Sequence, residues 1–146
     1  MKKIIITLAI IIKLTADTFA AEEKVNPAVM NAFNSKFRDA QQVTWAISDN
    51  YYKAAFNYHG TCMSAWYTAT GKFISVTRNF SSTELPLYLR NSLKTKYAGY
   101  WITDLVEESS KSGFSYYITI ENADKRIVLK SKEGDDWEKY HEYNKE

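Results

Sequence analysis

Apolar residues recur at every fourth position in two segments of the chain that lie sixty residues apart. The two series are Val29, Phe33 and Phe37, and Leu89, Leu93 and Tyr97. This spacing places each series on one face of an α-helix. Asn26-Pro27 and Leu85-Pro86 precede the two series, and proline in a first turn is typical of a helix start. The pattern predicts two amphipathic helices, the first extending to about residue 40.

Apolar and polar residues alternate in eight further segments that are separated by turn residues. The predicted strands cover residues 42–47, 51–58, 61–68, 72–80, 100–108, 114–121, 126–131 and 137–143. The segments between them are rich in Gly, Asn, Asp and Ser, including 109–113. Strands that are joined by such short turns pair antiparallel. The chain therefore predicts one helix plus about four strands, twice, in repeats at about 25–80 and 81–146.

The two predicted repeats favour an α+β fold. One unit alone would expose the apolar side of its sheet, whereas two units side by side can share one antiparallel sheet. Both helices would then pack on one face of the shared sheet. We expect a single domain over residues 21–146, with the other face of the sheet open to solvent or to a partner.

Residues 1–20 resemble a secretory signal peptide. Two lysines precede the apolar run at 4–12, and Thr18-Phe19-Ala20 approaches a small-residue cleavage site. We expect cleavage after Ala20 and a periplasmic or secreted protein with no membrane span after processing, because the run at 4–12 is too short to cross a bilayer.

The charge balance narrows the classes of partner. The chain has a formal net charge of +2, and removal of residues 1–20 leaves equal numbers of acidic and basic residues. This balance argues against nucleic acid as a partner, since proteins that bind nucleic acid present a basic face to its phosphates. The single cysteine excludes an internal disulfide.

His59, Gly60 and Cys62 are the reactive residue types that lie closest together in the sequence. Zinc sites need three or four protein ligands, and the chain offers one Cys and two His. We interpret His59-Gly60 as a turn and Cys62 as a strand residue. A thiol-dependent enzyme is the alternative at this position, and it would require a base within reach of Cys62.

Two pairs of neighbouring acids, Glu107-Glu108 and Asp135-Asp136, are candidates for acid–base chemistry or calcium binding. Consecutive strand residues point to opposite faces, so Glu107 and Glu108 could not share one substrate atom. Asp135-Asp136 follows Gly134 without the spacing of a calcium loop. We therefore predict no catalytic residue and no metal site, and we interpret both pairs as solvated charge.

Aromatic residues form the stronger candidate site. Alternation along the strands places four of them opposite the predicted core residues: Tyr51, Trp66, Tyr117 and Tyr140. Such residues can stabilise a sheet as cross-strand pairs. Tyrosine and tryptophan are also enriched where proteins bind one another, so the four are candidate partner-binding residues.

The order of these residues resembles that of the PepSY-like family, a group of secreted bacterial proteins also described as β-lactamase-inhibitor-like. The residues that carry the resemblance are Pro27, Val29, Ala32, Phe33, Phe37, Ala40, Val43, Trp45, Tyr52, Lys53, Ala54, Phe56, Ala65, Tyr67, Gly71, Thr77, Leu85, Pro86, Leu93 and Tyr97. Arg38 departs from the family, which often has proline there. The resemblance implies two α/β repeats, an extracytoplasmic location and no cofactor.

The sequence thus favours an exported, non-catalytic binding module. Its open sheet face and turn loops would bind an extracytoplasmic protein or peptide, and inhibition of a secreted enzyme is one form that such binding could take. The alternative is a carrier that holds a small amphipathic ligand between the helices and the sheet.

Overall fold

The computed structural model describes residues 18–20 and 24–145. Within these residues two α-helices are found, α1 (Pro27–Lys36) and α2 (Leu87–Lys96), with a short 3-10 turn at Ser82–Glu84. The strands are β1 (Thr18–Ala20), β2 (Gln41–Ile47), β3 (Tyr52–Tyr58), β4 (Thr61–Tyr67), β5 (Phe73–Asn79), β6 (Trp101–Ser110), β7 (Gly113–Glu121), β8 (Lys125–Lys132) and β9 (Glu138–Asn144).

All nine described strands form one sheet whose order follows the chain, from β1 at one edge to β9 at the other. Every neighbouring pair is antiparallel. Each helix precedes four strands, β2–β5 after α1 and β6–β9 after α2. The predicted α+β fold with two helix-and-strand repeats on a shared sheet is therefore confirmed.

The apolar layer between helices and sheet has an aromatic half under α1. Phe33 of α1 meets Trp45 and Phe56 edge to face, with ring centroids 5.2 Å and 5.0 Å apart. Edge-to-face contact between rings is favourable beyond the area it buries. Val29 of α1 and Ala54 of β3 complete this layer with no exposed surface.

The half of the layer under α2 is mainly aliphatic. Leu89, Ile118 and Leu129 have no exposed surface. Trp137, just before β9, donates its indole N–H to the carbonyl oxygen of Leu89 at 2.9 Å. This bond fastens the last segment of the chain to α2.

An ion-paired group lies on the same face of the sheet, on the strands where the two repeats join. Arg78 of β5 bonds Glu107 of β6 at 3.0 Å and Glu84 of the 3-10 turn at 3.3 Å. Glu84 also accepts the backbone N–H of Ser81, which closes a capping box around the turn. The turn that leads into α2 is thereby fixed to the shared sheet.

Element boundaries differ from the predictions at three places. α1 ends at Lys36 rather than near residue 40, because Phe37 leaves helical geometry, with φ −124° and ψ 57°. Its backbone N–H makes the last helical bond, to the Phe33 carbonyl at 2.8 Å. β6 continues to Ser110 through part of the predicted turn. Ser110 accepts the Ser112 N–H at 3.2 Å, so this turn needs fewer residues than its composition suggested.

The third difference is β1, which the sequence did not predict. Its residues, Thr18–Ala20, end the segment that we expect to be a signal peptide. They pair with β2 in the register Thr18 to Ile47 and Ala20 to Trp45. The rest of the predicted signal peptide lies outside the described residues.

Candidate functional site

Strand alternation divides the sheet between two faces. Residues such as Ala54, Ala65 and Ile118 face the helices. We call the side of the sheet turned away from α1 and α2 the reverse face. It carries the residues that alternate with the helix-facing ones: Lys53, Ser64, Trp66, Ser75, Thr77, Val106, Glu108, Tyr117, Lys130 and Tyr140. Trp66, Tyr117 and Tyr140 belong to it, and Tyr51, which lies just before β3, packs against Trp66 on the same side.

Tyr51 and Trp66 form one aromatic cluster on the reverse face, in the first repeat. Their ring centroids are 5.1 Å apart in an edge-to-face arrangement. The Lys53 ammonium lies 5.0 Å from the Trp66 ring, since β3 and β4 place Lys53 opposite Trp66. A cation over an indole ring is an attractive contact, so the cluster presents aromatic and cationic surface together.

Tyr117 and Tyr140 form a second cluster of the same composition in the second repeat. Their ring centroids are 5.6 Å apart. Lys130 of β8 lies between their strands, 5.0 Å from the Tyr117 ring and 5.7 Å from the Tyr140 ring. The four predicted residues are therefore brought together in two pairs rather than in one site.

Exposure differs within each pair. Trp66 is 2 % exposed and Tyr117 is 3 % exposed, whereas Tyr51 and Tyr140 are half-buried. Truncation of Trp66 or Tyr117 would therefore remove buried apolar area and lower stability. Tyr51 and Tyr140 are the better probes of binding.

Two polar atoms on the reverse face lie buried next to each other without a hydrogen-bond partner. They are Trp66 Nε1 and Ser75 Oγ, and Trp66 and Ser75 are direct cross-strand partners on β4 and β5. A buried donor without an acceptor is costly. Both atoms are closed off from solvent, so the pair is a local energetic cost to the sheet rather than a contact point for a partner.

A depression of about 270 Å³ with a mixed polar and apolar lining occupies the reverse face of β2–β5. Its lining includes Thr44, Asn57, Cys62, Ser64 and Asn79. The carrier alternative requires a space on the other side of the sheet, between helices and strands. There, Val29 and Leu89 have no exposed surface. The packing around these two residues gives the carrier alternative no support.

The turn between β3 and β4 confirms the interpretation of His59-Gly60. Both residues have positive φ, 50° and 83°, and the His59 ring meets the Tyr58 ring edge to face with centroids 4.2 Å apart. Tyr58 packs under α1 against Phe37, while exposed Cys62 lines the depression on the reverse face. This placement gives no support to a thiol–imidazole pair.

Glu107 and Glu108 point to opposite faces of the sheet, as consecutive strand residues must. Glu107 faces the helices and bonds Arg78, whereas Glu108 lies on the reverse face between Thr77 and Ser115. Asp136 binds Ser92 and Lys96 of α2 in a structural contact. Among residues 24–145 no group of three His, Cys, Asp or Glu side chains is placed to hold a metal ion.

Ion pairs hold the far end of the reverse face. Glu121 bonds Lys145 at 2.7 Å and Arg126 at 2.5 Å. Hydrogen bonds from Lys145 and then from Arg126 lower the pKa of the Glu121 carboxyl. The Lys145 ammonium also lies 5.2 Å from the exposed Trp101 ring, so a further cation–aromatic contact lies at this end.

The lysines are the site residues that sequence reasoning missed. Lys53 falls on the same strand face as Tyr51, so its position was visible in the alternation. Lys130 falls on β8, and its place between Tyr117 and Tyr140 depends on the register of three strands and on the bulge between Val128 and Leu129. The residue pattern within a single strand does not specify that register.

Comparison with solved structures shows what this fold is similar to. A BLIP-like protein from Bacteroides fragilis superimposes with a TM-score of 0.70 at 20% identity, covering 82% of this chain and 85% of that chain. A DUF2874 family protein from Bacteroides uniformis gives 0.71 at 15% identity, over 82% and 88%. A provisionally periplasmic protein from Bacteroides eggerthii gives 0.72 at 13% identity, over the same shares.

The chain has a BLIP-like fold. At these identities the likeness concerns the fold alone, and none of the three descriptions names an enzyme. No family model matches the chain, and no curated protein matches it. The PepSY-like assignment therefore stays a prediction from the sequence.

The described helices are too short and too polar to cross a bilayer.

Proposed function

We propose that the chain is exported and acts as a non-catalytic binding module, whose reverse face binds an extracytoplasmic protein or peptide. The observation that carries the proposal is the pair of lysine–aromatic clusters, Tyr51 with Trp66 and Lys53, and Tyr117 with Tyr140 and Lys130. Rigid aromatic side chains next to cations are typical of residues that dominate binding energy.

Three further observations support this proposal. Tyr51 and Tyr140, one in each cluster, are half-buried and so keep surface that a partner can contact. The fold is BLIP-like, and one protein of similar fold is provisionally described as periplasmic. Residues 1–20 have the pattern of a signal peptide. A secreted enzyme inhibited by this contact is one class of partner within the proposal.

The test is partner capture by the processed protein from the envelope fraction of its own host, followed by affinity measurement. Tyr51→Ala and Tyr140→Ala are each expected to weaken binding about tenfold, because truncating a well-packed interface aromatic typically costs over 1 kcal/mol. Melting temperature, measured in parallel, should change little, since both side chains are half-buried.

Tyr88→Ala is the matched control for these variants. Tyr88 is also a partly exposed tyrosine, at 53 %, but it lies on α2, on the opposite side of the sheet. Binding that is unaffected by changes at Tyr51 and Tyr140, or that is lost equally in the control, would remove the reverse face from the proposal.

A further inference from the structure

The edge of the sheet at β2 is covered by a strand from the segment that we expect to be removed. β1 pairs with β2 so that Thr18 lies opposite Ile47, the residue at position 19 opposite Ala46, and Ala20 opposite Trp45. Cleavage after Ala20 would take all three residues away. β2 would then be paired on one side only, with β3.

We propose that the β2 edge is a strand-acceptor site, which binds an extended segment of a partner polypeptide after the residues of β1 have been removed. The inference rests on the proposed export of the chain, and it concerns a different surface from the reverse face. Addition of a strand to a sheet edge gives affinity through main-chain hydrogen bonds and specificity through alternate side chains.

The composition of β2 supports this role. Sheet edges that stay exposed are commonly protected by lysine, other charges, proline or short length. β2 is seven residues long, QQVTWAI, without a charge or a proline. Its bulge against β3 lies between Gln41 and Thr44, so the stretch from Thr44 to Ile47 is, once uncovered, an unprotected template for another strand.

The opposite edge of the same sheet provides the contrast. β9 has the sequence EKYHEYN and the same length. Its Glu142 is bonded to Lys125 at 2.6 Å and also to Lys139, so charges line that edge. The sheet is therefore protected at β9 and unprotected at β2.

The register of β1 defines the chemistry of the occupant. Trp45 is 1 % exposed and belongs to the core under α1, so partner residues opposite Trp45 and Ile47 would lie beside the apolar layer and should be small or apolar. Ala46 lies on the other side, opposite Lys53, which in turn lies opposite Trp66. A larger partner residue fits over Ala46, because alanine leaves space there. The stretch of the occupant that pairs with residues 45–47 is expected to be uncharged and free of proline, as residues 18–20 are.

The experiment uses protein produced from the full chain, exported by a bacterial host and purified from the periplasm, with intact mass defining its first residue. The probe is a peptide with the sequence of residues 14–20, LTADTFA. Its control is the same peptide with two alternate backbone amides N-methylated, which removes main-chain donors while keeping every side chain. Binding is followed through the backbone amide NMR signals of the protein.

We expect saturable binding of the peptide that shifts the amide NMR signals of β2 and β3. The methylated peptide should bind more weakly by about tenfold or more, since each lost hydrogen bond weakens binding several-fold. Unprocessed protein made in the cytoplasm retains β1 and should not bind the probe. The proposal is overturned if β2 amides do not respond, if both peptides bind equally, or if the exported protein keeps residues 18–20. Dimerisation through β2 without peptide binding also overturns it, because the edge is then an interface between copies.

Tyr140→Ala separates this inference from the proposed function. Tyr140 lies on β9, at the edge of the sheet opposite β2. The variant should bind the peptide as the parent protein does, even where it loses capture of the reverse-face partner.

Discussion

Tyr67 places a hydroxyl group in the apolar layer under α1. The residue is 1 % exposed, and its hydroxyl has no hydrogen-bond partner among the described residues. Its ring contacts Phe73 with centroids 5.7 Å apart. Ring packing is therefore favourable at this position, whereas the hydroxyl carries an uncompensated desolvation cost.

Tyr67→Phe should leave the protein as stable as before or more stable by about 1 kcal/mol, because it removes only the unpaired hydroxyl. The free energy of unfolding in urea measures this, with Tyr88→Phe as a control on the surface. A loss of more than about 1 kcal/mol in Tyr67→Phe would show that the hydroxyl has a favourable interaction.

The same variant should be less sensitive to alkaline pH. Burial raises the pKa of Tyr67 from 10.0 to about 12. The hydroxyl therefore ionises less readily in the folded state than in the unfolded state. Its effect on the free energy of unfolding is constant below the unfolded-state pKa, and that free energy falls as pH rises from about 10 towards 12. Urea midpoints measured across that range should fall more steeply in the parent protein than in Tyr67→Phe.

Asp136 connects the turn before β9 to α2. It accepts hydrogen bonds from Lys96, from Ser92 at 2.5 Å and from the Trp137 backbone N–H at 2.8 Å. These bonds, that of Lys96 first, lower its pKa from 3.8 to about 2. The contribution to stability is present above pH 4 and is lost as pH falls towards 2.

Asp136→Asn should therefore melt at a lower temperature than the parent at pH 7, and the difference should shrink as pH falls from 4 to 2. Asp135→Asn, which removes the neighbouring charge and keeps these bonds, is the matched control. Melting curves at pH 7, 4 and 2 test the expectation, and a difference that is constant across that range would contradict it.

At the scale of elements, Gly71 connects the β4–β5 turn to the start of α1. It has a φ of +81°, and a Cβ at this position would lie 2.6 Å from the Ala28 carbonyl oxygen. Ala28 follows the helix cap, where Asn26 accepts the Ala28 N–H at 2.8 Å. The turn and the helix start therefore approach each other as closely as a residue without a side chain allows.

Gly71→Ala should cost more stability than Gly60→Ala. Gly60 has nearly the same φ, +83°, with no atom within 4 Å of the added Cβ, so that variant carries only the conformational cost of about 1–2 kcal/mol. Gly71→Ala adds a clash with backbone and should lose more than this. Equal values from urea unfolding would show that α1 can move away from the turn without cost.

The sequence predicted an element correctly where the residues that determine it are close together in the chain. The Asn26 cap, the helical series through Phe33 and Leu89, and the His59-Gly60 turn each lie within a few residues, and the structure has them. The end of α1 was set by the non-helical backbone of Phe37 and the length of β6 by the hydrogen bond at Ser110, neither of which composition specifies. The pairing of β1 depends on a contact with β2, more than twenty residues away.

The candidate site was predictable in part for the same reason. Alternation was enough to place Tyr51, Trp66, Tyr117 and Tyr140 on one face. It could not show that Trp66 and Tyr117 are buried, nor that Lys130 lies between two tyrosines, because both facts depend on neighbouring strands.

At the scale of the whole molecule, two core clusters share one sheet. Phe33 belongs to the first and Leu89 to the second, and β5 pairs with β6 across the junction of the repeats. Arg78 adds the ion pair to Glu107 at the same junction. The repeats should therefore unfold as one unit.

Phe33→Ala and Leu89→Ala should each lower the stability of a single unfolding transition by about 2–5 kcal/mol, because each leaves a cavity in a buried layer. Fluorescence from the tryptophans and far-ultraviolet circular dichroism should give coincident curves in both variants. Two separated transitions in either variant would instead mean that one repeat can lose its structure while the other keeps it.

The order of strands in the sheet has a consequence for biogenesis. Because strand order equals chain order, each new strand finds its neighbour already synthesised and close behind it in sequence, apart from the intervals across α1 and α2. Such near-neighbour pairing favours rapid folding. A polypeptide delivered through a translocation pore from its amino terminus could thus add hairpins one after another, without waiting for its carboxyl end to arrive.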